Sequence, residues 1–358
     1  MRIAFRVDAA VRIGSGHVAR CLNLAVELRD RGADVLFVTR AHVGHLAEQI
    51  KADGFRTIVL EPAQPLLDDP RTWLGTTTEQ DARDTFEALK RHAPLDWLIV
   101  DHYAIDAAWH VRARATARSI MVIDDLADRT FDAEIIVNQN YGADCSAYRG
   151  LVAPTAELLS GVSYALIGHS YRRARSRLER TPRLPGERGI LISLGGTDPT
   201  NATGEVLRQI APLIPECDHV DVVIGRHHPD RDGVAQLCAS HPNVELHVQV
   251  ASMVELLVRA DVAIGAGGVS TWERMCLGVP TLTLPLAANQ VATAAVLARD
   301  ELVALAPAGW RTDGLCSALR ALLEDGTRRR AFARRGMRLV NGGGAARVAD
   351  AIERGPRP

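Results

Sequence analysis

Four short stretches pair glycine with imidazole, hydroxyl, carboxylate or amide groups in spacings suited to holding an anion and doing chemistry beside it. The first is Gly14-Ser15-Gly16-His17. It follows an apolar run and opens a helical pattern, so its glycines permit a tight turn and close approach of backbone to a ligand. The helix start beyond them offers unpaired N–H groups and a positive dipole end. A histidine there is disfavoured as the imidazolium and is suited to act as a neutral base. On spacing alone, a base and a residue that merely caps the turn are equally compatible. The spacing is not G-x-G-x-x-G, which argues against a nicotinamide cofactor.

The second stretch, Gly265-Ala266-Gly267-Gly268-Val269-Ser270-Thr271-Trp272-Glu273, also runs from a strand into a helix. Its glycines bring backbone donors to a diphosphate, with Ser270 or Thr271 adding hydroxyls and Glu273 placed to accept from ribose hydroxyls. The alternative is a plain helix start with Ser270 as its N-cap. The third, Ser193-Leu194-Gly195-Gly196-Thr197-Asp198, sits at a similar strand end, and two such loops suit one nucleotide between them. The fourth, Leu286-Ala287-Ala288-Asn289-Gln290, carries two amides that read sugar hydroxyls without charge, or an Asn289 helix cap. Asp101-His102-Tyr103 and Asp124-Asp125 end successive strands, where open α/β sheets bind ligands. The adjacent aspartates are read as turn or cap residues, with no metal expected. His227-His228 reads as a surface turn, and His42 and His45 as exposed helix residues.

These residues need a scaffold of alternating strands and helices. Strands are predicted at Arg2–Val7, Asp34–Thr39, Arg56–Leu60, Trp97–Asp101, Ile120–Asp124 and Ile135–Asn138. A second set covers Gly189–Leu194, Val220–Ile224, Val244–Val248, Val262–Gly265 and Thr281–Leu284. Their continuous apolar, β-branched character suits strands covered on both faces. Helical patterns between them include Val18–Arg29, Asp81–His92, Ala107–Ala117, Ala202–Ala211, Ser252–Arg259 and Ser270–Cys276. The alternation predicts an α/β protein with two Rossmann-like domains facing each other across a central cleft. The expected boundaries are 1–170 and 188–340, with a helix and tail over 341–358. The basic run Tyr171–Arg177 is read as a solvated helix, the following Pro/Gly segment as a linker, and the last three residues as a frayed end.

The chain has 358 residues, enough for two buried cores. Its net charge of −1 gives no basic excess for nucleic acid. Six scattered cysteines read as reduced thiols, and the opening residues lack a charged-then-apolar leader, so a cytoplasmic location is expected. No apolar run reaches the length needed to insert in a membrane.

In order along the chain, Gly14-Ser15-Gly16-His17 with Arg20-Cys21-Leu22, Asp101-His102-Tyr103, Ile123-Asp124-Asp125-Leu126, Ser163-Tyr164-Ala165-Leu166, Gly195-Gly196-Thr197-Asp198, Gly267-Gly268-Val269-Ser270-Thr271-Trp272-Glu273 and Asn289-Gln290 form a set. With these the chain resembles the PseG/SpsG family, known for hydrolysis of UDP-2,4-diacetamido-2,4,6-trideoxy-β-L-altropyranose in pseudaminic acid biosynthesis. The resemblance implies the GT-B fold of MurG-type glycosyltransferases, no cofactor, and a UDP-sugar as substrate. It implies that His17 is catalytic with Tyr103 nearby. It further implies that Gly195, Gly196, Gly267, Gly268, Ser270 and Glu273 hold UDP, that Asn289 and Gln290 approach the diphosphate or sugar, and that the backbone at Met253 faces uracil. The expected reaction is metal-independent, inverting attack of water at the anomeric carbon, with His17 oriented by Asp8 or Tyr103. The alternative is transfer to a small-molecule acceptor. That alternative rests on one departure: where the family continues Tyr-Ala-Leu with Leu-Arg-Pro-Glu-Phe, this chain has Ile167-Gly168-His169-Ser170-Tyr171.

Overall fold

The computed structural model describes residues 1–62, 64–180 and 188–356, apart from the side chains of 179, 180, 288 and 289. The expected linker over 181–187, the last two residues of the expected tail, and the Asn289 side chain therefore lie outside the described residues. The chain divides into two compact units, one of Met1–Gly168 with Gly343–Pro358 and one of His169–Gly342.

The first unit runs β1 (Arg2–Val7), α1 (Gly16–Asp30), β2 (Asp34–Arg40), α2 (Ala47–Ala52), β3 (Arg56–Leu60), α3 (Thr78–Leu89), β4 (Leu95–Asp101), α4 (Ala107–Ala113), β5 (Ala117–Ile123), β6 (Ile135–Asn138) and β7 (Glu157–Ser160). These strands form one sheet in the order β3-β2-β1-β4-β5-β6-β7, with every pairing parallel. The order reverses between β1 and β4, where Val7 pairs with Asp101. Loops from two neighbouring strands part there, which makes room for a ligand. β1 buries Ile3, Phe5 and Val7 against Val18, Cys21, Leu24 and Leu28 of α1. Each such side chain contributes roughly 1.5–3 kcal/mol by leaving water. The last helix, Gly344–Arg354, returns to this unit and packs on α1. Arg31 donates to Asp350 and Glu353 on it, at 2.7 and 3.0 Å. Its first residue must be glycine, because a Cβ at Gly344 would sit 2.1 Å from the Ala165 carbonyl oxygen.

The second unit runs α5 (His169–Arg180), β8 (Gly189–Ser193), α6 (Ala202–Ile210), β9 (His219–Ile224), α7 (Arg231–Ala239), β10 (Val244–Val248), α8 (Val254–Arg259), β11 (Val262–Ala266), α9 (Val269–Cys276), β12 (Thr281–Leu284), α10 (Ala288–Arg299), β13 (Ala304–Leu305), α11 (Leu315–Glu324) and α12 (Gly326–Leu339). Its sheet has the order β10-β9-β8-β11-β12-β13, again parallel throughout. Each unit is thus a Rossmann-like layer structure. Among the described residues, no helix is long and apolar enough to cross a membrane.

Several boundaries move for identifiable reasons. The helix expected over Asp81–His92 starts at Thr78, because the Thr77 side chain accepts from the Gln80 N–H at 3.1 Å as an N-cap. The helix expected to reach Ala117 stops at Ala113, because Ala117 opens β5 beside Leu95. The run Tyr171–Arg177 is not simply a solvated face. Tyr171 is buried, and Arg175 donates to the carbonyls of Met337 and Val340 at 2.6 and 3.0 Å. His42 and His45 are not helical; they lie in the turn after β2, and His42 is buried.

One polar cluster interrupts the first unit's core. Arg6, fully buried on β1, contacts Asp8 and Asp81 at 2.6 Å each. Arg40 reaches Asp81 and Asp84 at 2.8 Å, and the Trp109 indole N–H donates to Asp81 at 3.0 Å. Burial raises the cost of the Asp81 charge, but Arg6 and Arg40 outweigh this and hold its carboxyl below the usual carboxylate range. Removing this one carboxylate leaves two arginines without it. Asp81→Ala is therefore expected to destabilise the protein by about 3–5 kcal/mol in urea unfolding; a loss under about 1 kcal/mol would contradict the assignment.

Candidate active site

The turn between β1 and α1 closes with the Gly14 N–H on the Ala10 carbonyl at 2.8 Å. Gly14 has φ +81°, a conformation a side chain would strain. Ser15 occupies the N-cap of α1 without a side-chain capping bond, and Gly16 opens the helix with free space around its α-carbon. His17, Arg20 and Cys21 then share one helix face at i, i+3 and i+4. All three reach Asp101, the last residue of β4. His17 Nδ1 lies 2.6 Å from Oδ1. Arg20 donates from Nη2 to Oδ1 and from Nε to Oδ2, both at 2.6 Å. The Cys21 thiol lies 3.4 Å from Oδ2.

Burial pushes the Asp101 carboxyl up, but the Arg20 charge, His17 and their hydrogen bonds prevail and hold it far below the usual range. Asp101 is therefore a fixed carboxylate that orients the imidazole through Nδ1. In the tautomer that donates from Nδ1, Nε2 is left as the basic nitrogen. Burial, reinforced by Asp101, pushes the Cys21 thiol well up, so it stays an uncharged packing group. The Tyr103 ring meets His17 edge-on, with centroids 4.7 Å apart and planes at 81°. Its phenol lies near the Asp125 carboxylate, which receives Arg20 Nη1 at 3.2 Å. Burial and the Asp125 charge push the Tyr103 phenol well up, keeping it protonated.

Asp8 is placed elsewhere than expected: the carboxylate on His17 is Asp101. Asp8 Oδ1 accepts from Arg6 at 2.6 Å and from the Arg40 N–H at 2.7 Å. Its Oδ2 faces His102 Nε2 at 3.5 Å and His42 Nε2 at 3.7 Å. His102 Nδ1 accepts from the Ala104 N–H at 3.1 Å, so its proton sits on Nε2, near Asp8 but not hydrogen-bonded to it. Burial pulls His102 down to about 4, so this imidazole is neutral. Asp8 is thus occupied by Arg6 and the Arg40 N–H rather than by His17. Asp124 serves its turn, accepting from Leu126 and Ala127 at 3.1 and 2.8 Å.

In the second unit, the glycine loops lie at the ends of neighbouring strands β8 and β11. Gly195 has φ +105°, and the backbone at Gly196 touches Gly225, where a Cβ would fall 1.8 Å from the Gly196 carbonyl oxygen. Thr197 lies partly buried between them and Asp198, whose carboxylate accepts from Ala202 and Thr203 at 2.8 Å each. His228 is buried against Asp198 at 3.3 Å, so only His227 of that histidine pair faces solvent. Gly268, with φ +92°, is the N-cap of α9, in place of Ser270, and Val269 begins the helix. Ser270 and Thr271 both accept from Arg274, at 3.0 and 3.1 Å, which leaves their hydroxyl protons to donate. The structure brings Gly267 against Gln290, whose Oε1 accepts from the Leu286 N–H at 3.1 Å. Ala287, not Asn289, is the N-cap of α10. Met253 is the N-cap residue of α8 and partly exposed. Asp221, Glu245 and His247 bring donor atoms within 4.8 Å of one another, but Arg259 donates to Asp221 at 2.7 Å and to Glu245 at 3.2 Å, giving an ion-pair cluster.

Comparison with known proteins places these geometries in context. No family model matches the chain. It is 24% identical to the spore coat polysaccharide biosynthesis protein SpsG of Bacillus subtilis, over 83% of this chain and 81% of that one. It is also 24% identical to the UDP-2,4-diacetamido-2,4,6-trideoxy-beta-L-altropyranose hydrolase of Campylobacter jejuni, over 84% of this chain and 97% of that one. An uncharacterised protein of Methanocaldococcus jannaschii is 23% identical over 79% of this chain, which spans only 55% of that relative's length. The resemblance to the PseG/SpsG proteins therefore extends over most of the sequence. Among solved structures, MurG of Acinetobacter baumannii matches with TM-score 0.62 at 15% identity, covering 99% of both chains. The UDP-GlcNAc 2-epimerase of Neisseria meningitidis matches with TM-score 0.65 at 12% identity, covering 99% of this chain and 100% of that one. The fold class is GT-B, with two Rossmann-like parallel-sheet units.

Burial pushes the carboxyl of Glu273, on α9 near Tyr171, up to about 7, against the lowering effects of Tyr171 and Arg274. The folded chain therefore binds this proton more tightly than the unfolded one. That stabilisation is complete below about pH 4.5 and is lost as pH rises to about 7. Glu273→Gln is expected to match the wild type near pH 4 and to exceed it by up to about 3 kcal/mol at pH 8. Thermal melting from pH 4 to pH 8 checks this; a difference that does not grow with pH would contradict it.

Proposed function

We propose that this protein hydrolyses a UDP-activated amino or deoxy sugar at its anomeric carbon, releasing UDP and free sugar as in nonulosonate pathways of the pseudaminic acid type. The observation that carries the reading is His17 Nδ1 at 2.6 Å from the buried Asp101, which also receives two hydrogen bonds from Arg20. A histidine that only capped a turn would not need an orienting carboxylate. The named activity of the Campylobacter jejuni relative supports the same substrate class.

In this mechanism Asp101 holds the His17 tautomer, and Nε2 takes a proton from water as the water oxygen bonds to the anomeric carbon. The glycosidic C–O bond breaks on the opposite face and its electron pair leaves with UDP, so the anomeric centre inverts. Tyr103 stays protonated and flanks the base. Gly195, Gly196, Thr197, Gly267, Gly268, Val269, Ser270 and Thr271 are assigned to the nucleotide, through backbone donors and hydroxyls that offset charge on the leaving diphosphate without a metal. Glu273 is assigned to the ribose, Asn289 and Gln290 to the diphosphate or sugar, and the backbone at Met253 to uracil. Gly14, Ser15 and Gly16 are assigned to the sugar side of the base.

Glycosyl transfer is the second reading, with an acceptor hydroxyl in place of water. The observation favouring it is Gly168-His169-Ser170, where charged residues are usual in the family; these residues fall at the division between the two units. A panel of nucleotide sugars, incubated alone and with candidate acceptors and followed by mass analysis, separates the readings. Free-sugar release without acceptor is expected, unchanged by a chelator; turnover only with acceptor would favour transfer. His17→Ala should lower turnover by about 10²–10⁴-fold while UDP still binds. Full turnover by that variant would contradict the mechanism.

A further inference from the structure

The loop between β3 and α3 holds an aromatic residue that the mechanism above does not use. Trp73 packs on Tyr103, with ring centroids 5.8 Å apart and planes at 37°, and Tyr103 in turn meets His17 at 4.7 Å. The three rings form one continuous series ending at the base. Trp73 differs from Trp109 and Trp272, which are fully buried core residues. It is only partly buried, yet its orientation is tied down. Its indole N–H donates to the Leu67 carbonyl at 3.2 Å. Leu74 beside it is buried and anchors the loop, and Gln64 N–H donates to the Gly75 carbonyl at 2.9 Å, closing the loop at its base. Asp69 caps the short turn before Trp73 by accepting from the Arg71 N–H at 3.0 Å. Asp68 pairs with Arg12, in the same turn that carries Gly14 and leads to His17. The loop thereby meets the Tyr103 ring, and among the described residues only an exposed ion pair joins it to the base-bearing turn.

We propose that Trp73, backed by the buried Tyr103 ring, is a specificity-determining wall for the sugar: it receives the apolar C–H face of a pyranose and an apolar substituent on it, such as a deoxy methyl or the methyl of an N-acyl group. This rests on the UDP-sugar reading above. A fixed, partly exposed indole beside a base suits such a ligand, because it offers a large rigid apolar face while its one polar atom is already satisfied. A pyranose with an equatorial hydroxyl in place of the apolar group would leave that hydroxyl unsolvated against the ring.

The test uses the full chain and separates the two claims. Binding of UDP and of the UDP-sugar that the wild type turns over is measured by calorimetry in His17→Ala, and in the same background with Trp73→Ala or Trp73→Phe. UDP affinity is expected to be equal in all three. UDP-sugar affinity should fall about 10- to 50-fold with Trp73→Ala and largely recover with Trp73→Phe. With His17 intact, Trp73→Ala should raise KM by a similar factor and change kcat less than about threefold, whereas a role confined to packing Tyr103 would lower kcat and spare KM. Unchanged UDP-sugar affinity, an equal loss of UDP affinity, or a kcat loss without a KM change would overturn the proposal while leaving the hydrolase reading intact. Failure of the wild type to turn over any UDP-sugar would overturn both.

Discussion

The Asp101 carboxylate is fully withdrawn from water and would be costly to keep ionised by itself. It is sustained by one face of α1, from which His17, Arg20 and Cys21 converge on its two oxygens. This ion pair organises the rest of the first unit's chemistry. Arg20 continues to Asp125, whose charge lies near the Tyr103 phenol, and the Tyr103 ring contacts both His17 and Trp73. The convergence depends on sheet order. Because β1 and β4 are neighbours with Val7 opposite Asp101, the helix that follows β1 starts directly beside the end of β4. A sheet with β1 and β4 separated would leave the histidine without its carboxylate.

The second unit solves a different problem with different means. Its loops at β8 and β11 expose backbone rather than side-chain charge, and its polar side chains mostly hold those loops in place. Asp198 is occupied by the start of α6, Arg274 by Ser270, Thr271 and the Ala266 carbonyl, and Gln290 by the Leu286 N–H. Such an arrangement suits a diphosphate, which aligned N–H groups solvate without a fixed counter-charge. Glu273 is the exception, a carboxyl whose ionisation falls in the working pH range because burial opposes it.

The layered fold was legible because central parallel strands covered on both faces, such as Arg2–Val7, Ile135–Asn138 and Thr281–Leu284, read as apolar runs, and the edge strands Arg56–Leu60 and Val244–Val248 kept enough β-branched residues to be seen. The edge strands Glu157–Ser160 and Ala304–Leu305 escaped notice because they are short and carry a weaker apolar signal. The glycine turns and His17 were visible from spacing. The partner of His17 was not, since Asp101 lies 84 positions away and only strand order joins them. Asp8 was the nearer candidate in sequence, but Arg6, two residues earlier on the same side of β1, takes it. The missed signal was Arg6 itself: an arginine inside an otherwise apolar buried strand requires carboxylates. The same long-range pairing buried His42 and His228, which look like surface residues from their neighbours in the chain. Trp73 sits in a loop without periodicity, and only its ring contacts mark it out.

The central claim is that His17 directs water onto the anomeric carbon of a nucleotide sugar. Turnover in ¹⁸O-labelled water, with mass analysis of both products and NMR of the first-formed sugar anomer, tests it most directly. The account predicts one ¹⁸O atom at the anomeric position of the released sugar, none in UDP, and an inverted anomeric centre. Label in the UDP product, or release of the sugar with its configuration retained, would contradict it.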